Sequence, residues 1–368
     1  MPKKLKILIS GGGTGGHIFP AIAIANAIKE KLPDTEIHFV GAKGRMEMEK
    51  VPLAGYSITG LWISGLQRKL TTKNLLFPIK VILSIFKSFK IINKFKPNIV
   101  IGTGGYASGP LLFTASKRNI PTLIHEQNAF PGITNKFLGK RVDKVCVSYP
   151  NMEKYFSEDK IIITGNPIRK EILNLLPTKK ESVGFFNLNN DKKTLLIIGG
   201  SQGAKKINIA VAENLQTLLN LNLQIIWQTG SYSIDTALKA AEGKKHVVVT
   251  EFIQKMDFAY VASDYIISRA GAIAIAEIVA ARKPAIFIPL PTAAEDHQTK
   301  NATTLVDGNA ALMINENDAI KSLPDILSSL VKDVELQESI KKNLVKFSYP
   351  NAAANIAGEV LKIAQKNI

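Results

Sequence analysis

The sequence predicts an α/β protein of two parallel-sheet units, and three observations carry that expectation. Short apolar or β-branched runs recur at the spacing of strands separated by helices. Two of them, KILIS and TLLII, run straight into glycine-rich turns followed by helical patterns. The chain, at 368 residues, is also longer than one ordinary core accommodates.

The first series begins at residues 6–10 (KILIS), which feed GGGTGG at 11–16 and the helical pattern PAIAIANAIKEKL at 20–32. Strand signals follow at 36–41 (EIHFVG), 98–105 (NIVIGTGG), 121–127 (PTLIHEQ) and 144–148 (KVCVS). Runs that are apolar without alternation belong to strands covered on both faces, as in parallel sheets. IIITGNPIR at 161–169 reads as a connection, with Pro167 ending local structure. The second series opens at 194–219 (TLLIIGGSQGAKKINIAVAENLQTLL) and continues at 223–230, 246–252, 262–271 and 283–291. Residues 181–193, with NLNNDKK, read as a surface excursion before it, and the segment after Pro350 as a closing helix. The expected domains are 1–165, joined by the C-terminal helix at about 350–368, and 166–349.

Composition narrows the classes. Apolar residues make up 46% and charged residues 21%, which is globular rather than disordered. A single cysteine, Cys146, rules out an intrachain disulfide and fits a reducing compartment. MPKKLKILIS turns to glycine too soon for a signal peptide, and no stretch has the length of a spanning helix. Residues 1–165 hold 24 Lys and Arg against 10 Asp and Glu, the remainder 23 against 20. An anionic partner for the first half is therefore expected, either nucleic acid or an acidic membrane surface. Residues 75–96 (LLFPIKVILSIFKSFKIINKFK) have the composition of a helix lying in a membrane interface, with lysines over anionic head groups. The same composition also suits a core helix with a lysine-rich outer face.

The polar residues cluster at strand ends, where ligand loops converge in parallel sheets. Gly11-x-Gly13-x-x-Gly16 satisfies the dinucleotide fingerprint, but Val40-Gly41-Ala42-Lys43 supplies no acid for a ribose hydroxyl, and no Walker lysine follows. What remains is a backbone that approaches a ligand closely, a helix N-terminus favouring anions, and His17, which accepts a proton near neutral pH. GTGGYASGP at 102–110 brings Tyr106 to the next strand end, and HEQN at 125–128 follows the one after. In the second half GGSQGA at 199–204 approximates a phosphate loop, with Ser201 and backbone amides as donors. Glu277 lies in an otherwise apolar helical run and needs a partner, which ribose hydroxyls would provide. AEDHQTKNA at 294–302 carries His297 and Gln298. No metal signature is present, and neither a metal nor another cofactor is expected.

Taken in order, GGGTGGHIFPA, GTGGYASGP, HEQNAFPG, GNPIR, GGSQGA, SRAGA with Glu277, and EDHQTKNA resemble the MurG family over nearly the whole chain. These are the UDP-N-acetylglucosamine:lipid I N-acetylglucosaminyltransferases of bacterial peptidoglycan synthesis. The resemblance implies a GT-B architecture, two Rossmann-like domains facing across a cleft. It also implies transfer of GlcNAc from UDP-GlcNAc to the 4-hydroxyl of MurNAc in undecaprenyl-pyrophosphoryl-MurNAc-pentapeptide, with inversion. By analogy, the first domain takes the acceptor and the second the donor. Donor contacts carried over are Thr14, Gly15, Gly16, Asn128, Arg169, Ser201, the Ile253 backbone, Glu277 and Gln298. His17 becomes the general base with Glu126 as its alternative, and Tyr106 and His125 lie near the acceptor. Many members carry a hydroxyl where this chain has Ala274. The implied location is peripheral, on the cytoplasmic face of the inner membrane, docked through 75–96, with no nucleic acid partner.

Three alternatives stand beside this reading. An NAD-dependent oxidoreductase is disfavoured by the missing acid. A nucleic-acid-binding protein explains the charge but not the polar strand ends. A glycosyltransferase with another acceptor fits the same residues.

Overall fold

Ile7, Leu8 and Ile9 are all without solvent exposure, yet they serve two different cores. Successive strand residues point to opposite faces. Ile7 and Ile9 therefore pack with Ile24, Ile28 and Phe39 in one layer, and Leu8 packs with Val40, Val100 and Leu111 in the other. A strand buried on both faces has no place for alternation, which is why the run reads as continuously apolar.

The computed structural model describes residues 4–65, 75–200 and 203–365, and the chain divides into two units. The first is Met1–Ile168 with Asn351–Ile368, the second Arg169–Pro350. The first unit's sheet has seven strands: β1 (Lys6–Ser10), β2 (Glu36–Ala42), β3 (Ser57–Leu61), β4 (Ile99–Gly102), β5 (Thr122–Glu126), β6 (Lys144–Val147) and β7 (Ile161–Ile163). Their order is β3-β2-β1-β4-β5-β6-β7, and every pair is parallel. The second sheet has six: β8 (Lys193–Ile198), β9 (Leu223–Gln228), β10 (Val247–Thr250), β11 (Tyr265–Ser268), β12 (Ala285–Phe287) and β13 (Leu312–Met313). Their order is β10-β9-β8-β11-β12-β13, again all parallel.

Strand order reverses between β1 and β4 in one unit and between β8 and β11 in the other. Ser10 pairs with Gly102, and Ile198 with Ser268, so both glycine-rich turns leave from switch points. Ligands of open α/β sheets bind at such places.

Three differences from the sequence reading have local causes. Residues 161–163, read as a connection, form edge strand β7 beside β6; three isoleucines suit an edge that is only half-buried. Strands β3 and β13 were not expected, because SITGL is diluted by glycine and serine and β13 has only two residues. The segment 181–193, read as a surface excursion, opens instead inside a helix, Lys179–Phe185, started by a capping box in which Thr178 and Glu181 exchange hydrogen bonds.

The final helix, Ala352–Gln365, packs on helix Gly15–Lys31, and its Ile356, Ala357, Val360 and Ala364 complete the first unit's core. The helix Phe77–Phe95 is arranged inside out. It buries Ser84, Ser88 and Ile92, while Ile79, Ile82, Leu83, Phe86 and Phe89 are each about half exposed or more. Lys80 and Lys87 point back to the protein, reaching Ser64 Oγ at 3.0 Å and the Gly60 carbonyl at 2.7 Å. No described helix is long and apolar enough to cross a membrane.

Candidate active site

At the first switch point the two glycine turns interlock. Gly105 has φ of 78°, and a Cβ there would lie 2.1 Å from the Gly12 carbonyl oxygen, so only glycine permits this approach. A Cβ on Gly12 would in turn lie 2.1 Å from Glu47 Oε1. Glu47, fully buried, accepts from the Gly13 amide at 3.1 Å and the Ala42 amide at 3.0 Å. The carboxylate missing after β2 thus arrives five residues later, aimed beneath the glycine loop. In a dinucleotide fold that acid would face a ribose; here it is a strut. Sequence reading missed Glu47 because nothing in EMEKVPL sets it apart from Glu49 two residues on.

Thr14, in extended conformation, caps helix Gly15–Lys31, leaving Gly15 and Gly16 among the first-turn amides without an intrahelical acceptor. His17 follows, half-buried, with Nδ1 3.3 Å from Gln127 Oε1 and its carbonyl accepting from Thr103 Oγ1 at 2.8 Å. Tyr106 lays its ring against Gly13, and burial raises its hydroxyl pKa. Thr14, Gly15, Gly16, His17 and Tyr106 are therefore one cluster.

HEQN divides between two tasks. Glu126, 1% exposed, accepts from the Asn128 amide at 3.0 Å, Asn128 Nδ2 at 3.1 Å, the Gly132 amide at 3.2 Å and Asn135 Nδ2 at 2.8 Å. Burial pushes its carboxyl above the ordinary range, and these four donors pull against that. The expectation of Glu126 as alternative base is corrected accordingly: its oxygens organise the loop from 126 to 135. His125 is also corrected. It is fully buried, bonded to the Gly165 carbonyl at 3.0 Å, and has no face for an acceptor. Asn128 is half-buried at the loop's edge. Gln127, quoted in the motif but given no role, links His125 to His17 and is a second residue that sequence reading missed.

The second unit's switch point is built differently. A cavity of about 580 Å³ lies at the start of helix Lys205–Leu219, lined by Gly199, Gly200, Lys205, Lys206, Ala274 and Gln298 among others. Gly203 has φ of 81°, and a Cβ there would lie 2.4 Å from the Thr229 carbonyl, so the turn depends on glycine. Arg269 lines the cavity too, ion-paired with Glu316 and donating to the Ile288 and Pro289 carbonyls at 3.0 and 3.2 Å. Gln298 Oε1 accepts from the Leu290 amide at 2.9 Å, which ties its helix to the end of β12. Ser201 lies outside the described residues. Because Ala274 stands in the wall, no hydroxyl donor comes from that position.

Three further expected donor residues do not line this cavity. Glu277, on helix Ala272–Ala280, is 5% exposed and held by Arg169 Nε and Nη2, each at 2.8 Å, and by the Tyr260 hydroxyl at 3.2 Å. The buried acid has its partner, but the partner is a cation in this chain. Arg169, expected to face a diphosphate, is turned onto that carboxylate. Ile253, expected to act through its backbone, keeps its side chain in the core, and neither it nor the Arg169–Glu277 pair is part of the cavity wall.

The chain matches the glycosyltransferase family 28 N-terminal domain over residues 7–147 and the C-terminal domain of that family over 194–356. It is similar to the UDP-N-acetylglucosamine–N-acetylmuramyl-(pentapeptide) pyrophosphoryl-undecaprenol N-acetylglucosamine transferase of Flavobacterium psychrophilum, 47% identical with 99% of each chain covered. The enzyme of the same name from Cytophaga hutchinsonii is 49% identical, covering 98% of this chain and 97% of its own. The crystal structure of Acinetobacter baumannii MurG superposes with a TM-score of 0.77 at 27% identity, covering 97% of this chain and 99% of that one. With both parallel-sheet units matched and full-length relatives near half identity, the chain belongs to glycosyltransferase family 28, as a MurG-type protein with the two Rossmann-like domains of the GT-B class.

Proposed function

We propose that the chain transfers GlcNAc from UDP-GlcNAc to the 4-hydroxyl of MurNAc in lipid I, forming the lipid II used for peptidoglycan. The observation that carries this reading is the pair of unlike switch points, on a chain whose full-length relatives bear that enzyme's name. One switch point has helix-start amides and lysines around a nucleotide-sized cavity, and the other has a histidine on a glycine-walled turn.

Donor binding belongs to the second unit. The first-turn amides of helix Lys205–Leu219, with Lys205 beside them, suit a diphosphate. The same groups stabilise the charge that UDP gains as it leaves. Acceptor activation belongs to the first unit. His17 takes the proton as the acceptor oxygen forms its bond to the anomeric carbon and the bond from that carbon to the diphosphate breaks, in one displacement with inversion. Thr14, Gly15, Gly16 and Asn128 are assigned to the donor, and Tyr106 to the acceptor. Under this reading, ribose contact by Glu277 requires one of its hydrogen bonds to Arg169 or Tyr260 to be exchanged.

The helix Phe77–Phe95 supports a peripheral place on the cytoplasmic face of an anionic membrane. A core helix would bury its large apolar residues, and this one fully buries two serines and Ile92 while leaving Ile79, Ile82, Leu83, Phe86 and Phe89 outside. Its exposed Ile and Phe side chains suit the acyl boundary, with Lys90 and Lys94 available to head groups.

A transfer assay with labelled UDP-GlcNAc, UDP-Glc and UDP-GalNAc against a short-chain lipid I analogue tests the reaction. Only UDP-GlcNAc is expected to give efficient transfer; no transfer to the analogue moves the reading to another acceptor. Flotation with anionic vesicles tests the docking helix. Ile82→Glu/Phe86→Glu is expected to lose most of its vesicle binding while keeping transfer to the soluble analogue, and equal flotation of both proteins sinks the assignment.

A further inference from the structure

One chain of hydrogen bonds determines where the His17 ring carries its proton. It starts at the Gly165 carbonyl, which only accepts. His125 Nε2 lies 3.0 Å from it and must therefore be the protonated nitrogen. Ser148 Oγ, 3.2 Å from the same nitrogen, has two acceptors for its own hydrogen, Asn166 Oδ1 at 2.8 Å and the Glu126 carbonyl at 3.1 Å, and does not compete as a donor. Burial pushes the His125 imidazole down to about 4, so near neutral pH the ring has one proton and its Nδ1 holds a lone pair.

Gln127 Nε2 lies 3.0 Å from that Nδ1 and 2.8 Å from the Thr103 carbonyl. Two acceptors on one side identify the amide nitrogen, which leaves Oε1 on the other side, 3.3 Å from His17 Nδ1. An amide oxygen cannot donate, so His17 Nδ1 supplies the hydrogen. The Gln127 backbone is itself held, its carbonyl accepting from Asn166 Nδ2 at 3.0 Å. Gly104 and Gly105 leave room for the ring: Cβ atoms on them would lie 3.0 Å from His17 Nδ1 and 3.3 Å from its Cδ2.

We infer that Gln127 is a positioning residue for the His17 base, its amide oriented by Thr103 and His125 so that the imidazole is held as the Nδ1–H tautomer with the lone pair on Nε2. The inference rests on the reading of His17 as base. It gives buried His125 a task consistent with its lack of exposure: it sets the direction of an amide. A base in the other tautomer would present a hydrogen to the attacking hydroxyl instead of accepting one.

The test uses the full chain with ¹⁵N-labelled histidine, at about pH 8.5 so that imidazoles are neutral. The protein has five histidines, and His17 is assigned by the signals lost in His17→Ala. In the wild type, long-range ¹H–¹⁵N spectra are expected to show a protonated Nδ1 and an unprotonated Nε2 for His17. Gln127→Leu removes the oxygen and is expected to abolish that pattern, lowering kcat by roughly tenfold or more while the KM for UDP-GlcNAc stays within about twofold. Gln127→Glu keeps an oxygen toward Nδ1 and is expected to retain the tautomer. Packing damage alone would move both variants alike, and that result overturns the inference, as does a wild-type ring protonated on Nε2. Near-normal turnover of His17→Ala would remove the base itself, a failure distinguishable because the wild-type tautomer is read without turnover.

Discussion

The two switch points share a backbone plan and differ in what stands behind it. In the first unit the glycine turn is backed by buried polar groups: Glu47 beneath it, and Gln127, His125 and Glu126 beside it. In the second unit the turn faces a cavity edged by Lys205, Lys206 and the Arg269–Glu316 pair. A site that handles a proton needs one side chain held in one orientation, and a buried network supplies that. A site that holds an anion needs amides and positive charge around open volume. Under the proposed function the same strand–turn–helix serves both, and the side chains behind the turn decide which.

His17→Ala breaks the first side of this comparison most directly. Turnover is expected to fall by roughly 10²–10⁴-fold, with the KM for UDP-GlcNAc little changed. Steady-state kinetics check this, and a loss confined to KM would move the base elsewhere. Glu47→Gln comes next. Its carboxylate serves two backbone donors, whereas an amide offers one acceptor and turns an N–H toward the other. Stability of the first unit is expected to drop by about 1–3 kcal/mol, read by denaturant unfolding. An unchanged midpoint would mean the loop does not need its strut.

On the second side, Lys205→Met is expected to raise the KM for UDP-GlcNAc by roughly two- to fivefold, since an exposed lysine is well screened, and to leave kcat nearly unaltered. Raising the ionic strength should shrink that difference, and a salt-independent effect would point to packing instead. Ala274→Ser is the smallest change and the most informative about the departure from the family pattern. It returns a hydroxyl to the cavity wall and is expected to improve donor affinity by about 1 kcal/mol or less, measured by titration calorimetry with UDP.

Much of this was legible in the residues. The strand runs were readable because parallel strands are apolar throughout, and the turns because glycine is the only residue tolerated where a Cβ would meet backbone at 2.1 or 2.4 Å. Edge strands were not, since β7 and β13 are short and half-buried. Within the site, His17 stood out by chemistry alone. Glu47 and Gln127 did not, because their importance lies in contacts that only the fold brings about, with the Gly13 amide 34 positions away and the His17 ring 110 positions away. Glu277 shows the converse. That a buried acid needs a partner was readable, but which partner it takes depends on where Arg169 comes to rest, 108 positions away. In helix Phe77–Phe95 the composition was plain, whereas the face turned outward was fixed by Ser84 and Ser88 fitting against the protein.

The return of the chain to its first unit has a consequence for biosynthesis. Residues 351–368 follow the whole second unit in the chain, and they carry Ile356, Ala357, Val360 and Ala364 into a core begun by Ile7 and Ile9. The second unit, contiguous in sequence, has all its residues available earlier. The half started first is therefore finished last. Until residues 352–365 have been made, the apolar side of helix Gly15–Lys31 lacks its cover, and a nascent chain stalled near residue 350 would present that surface to chaperones.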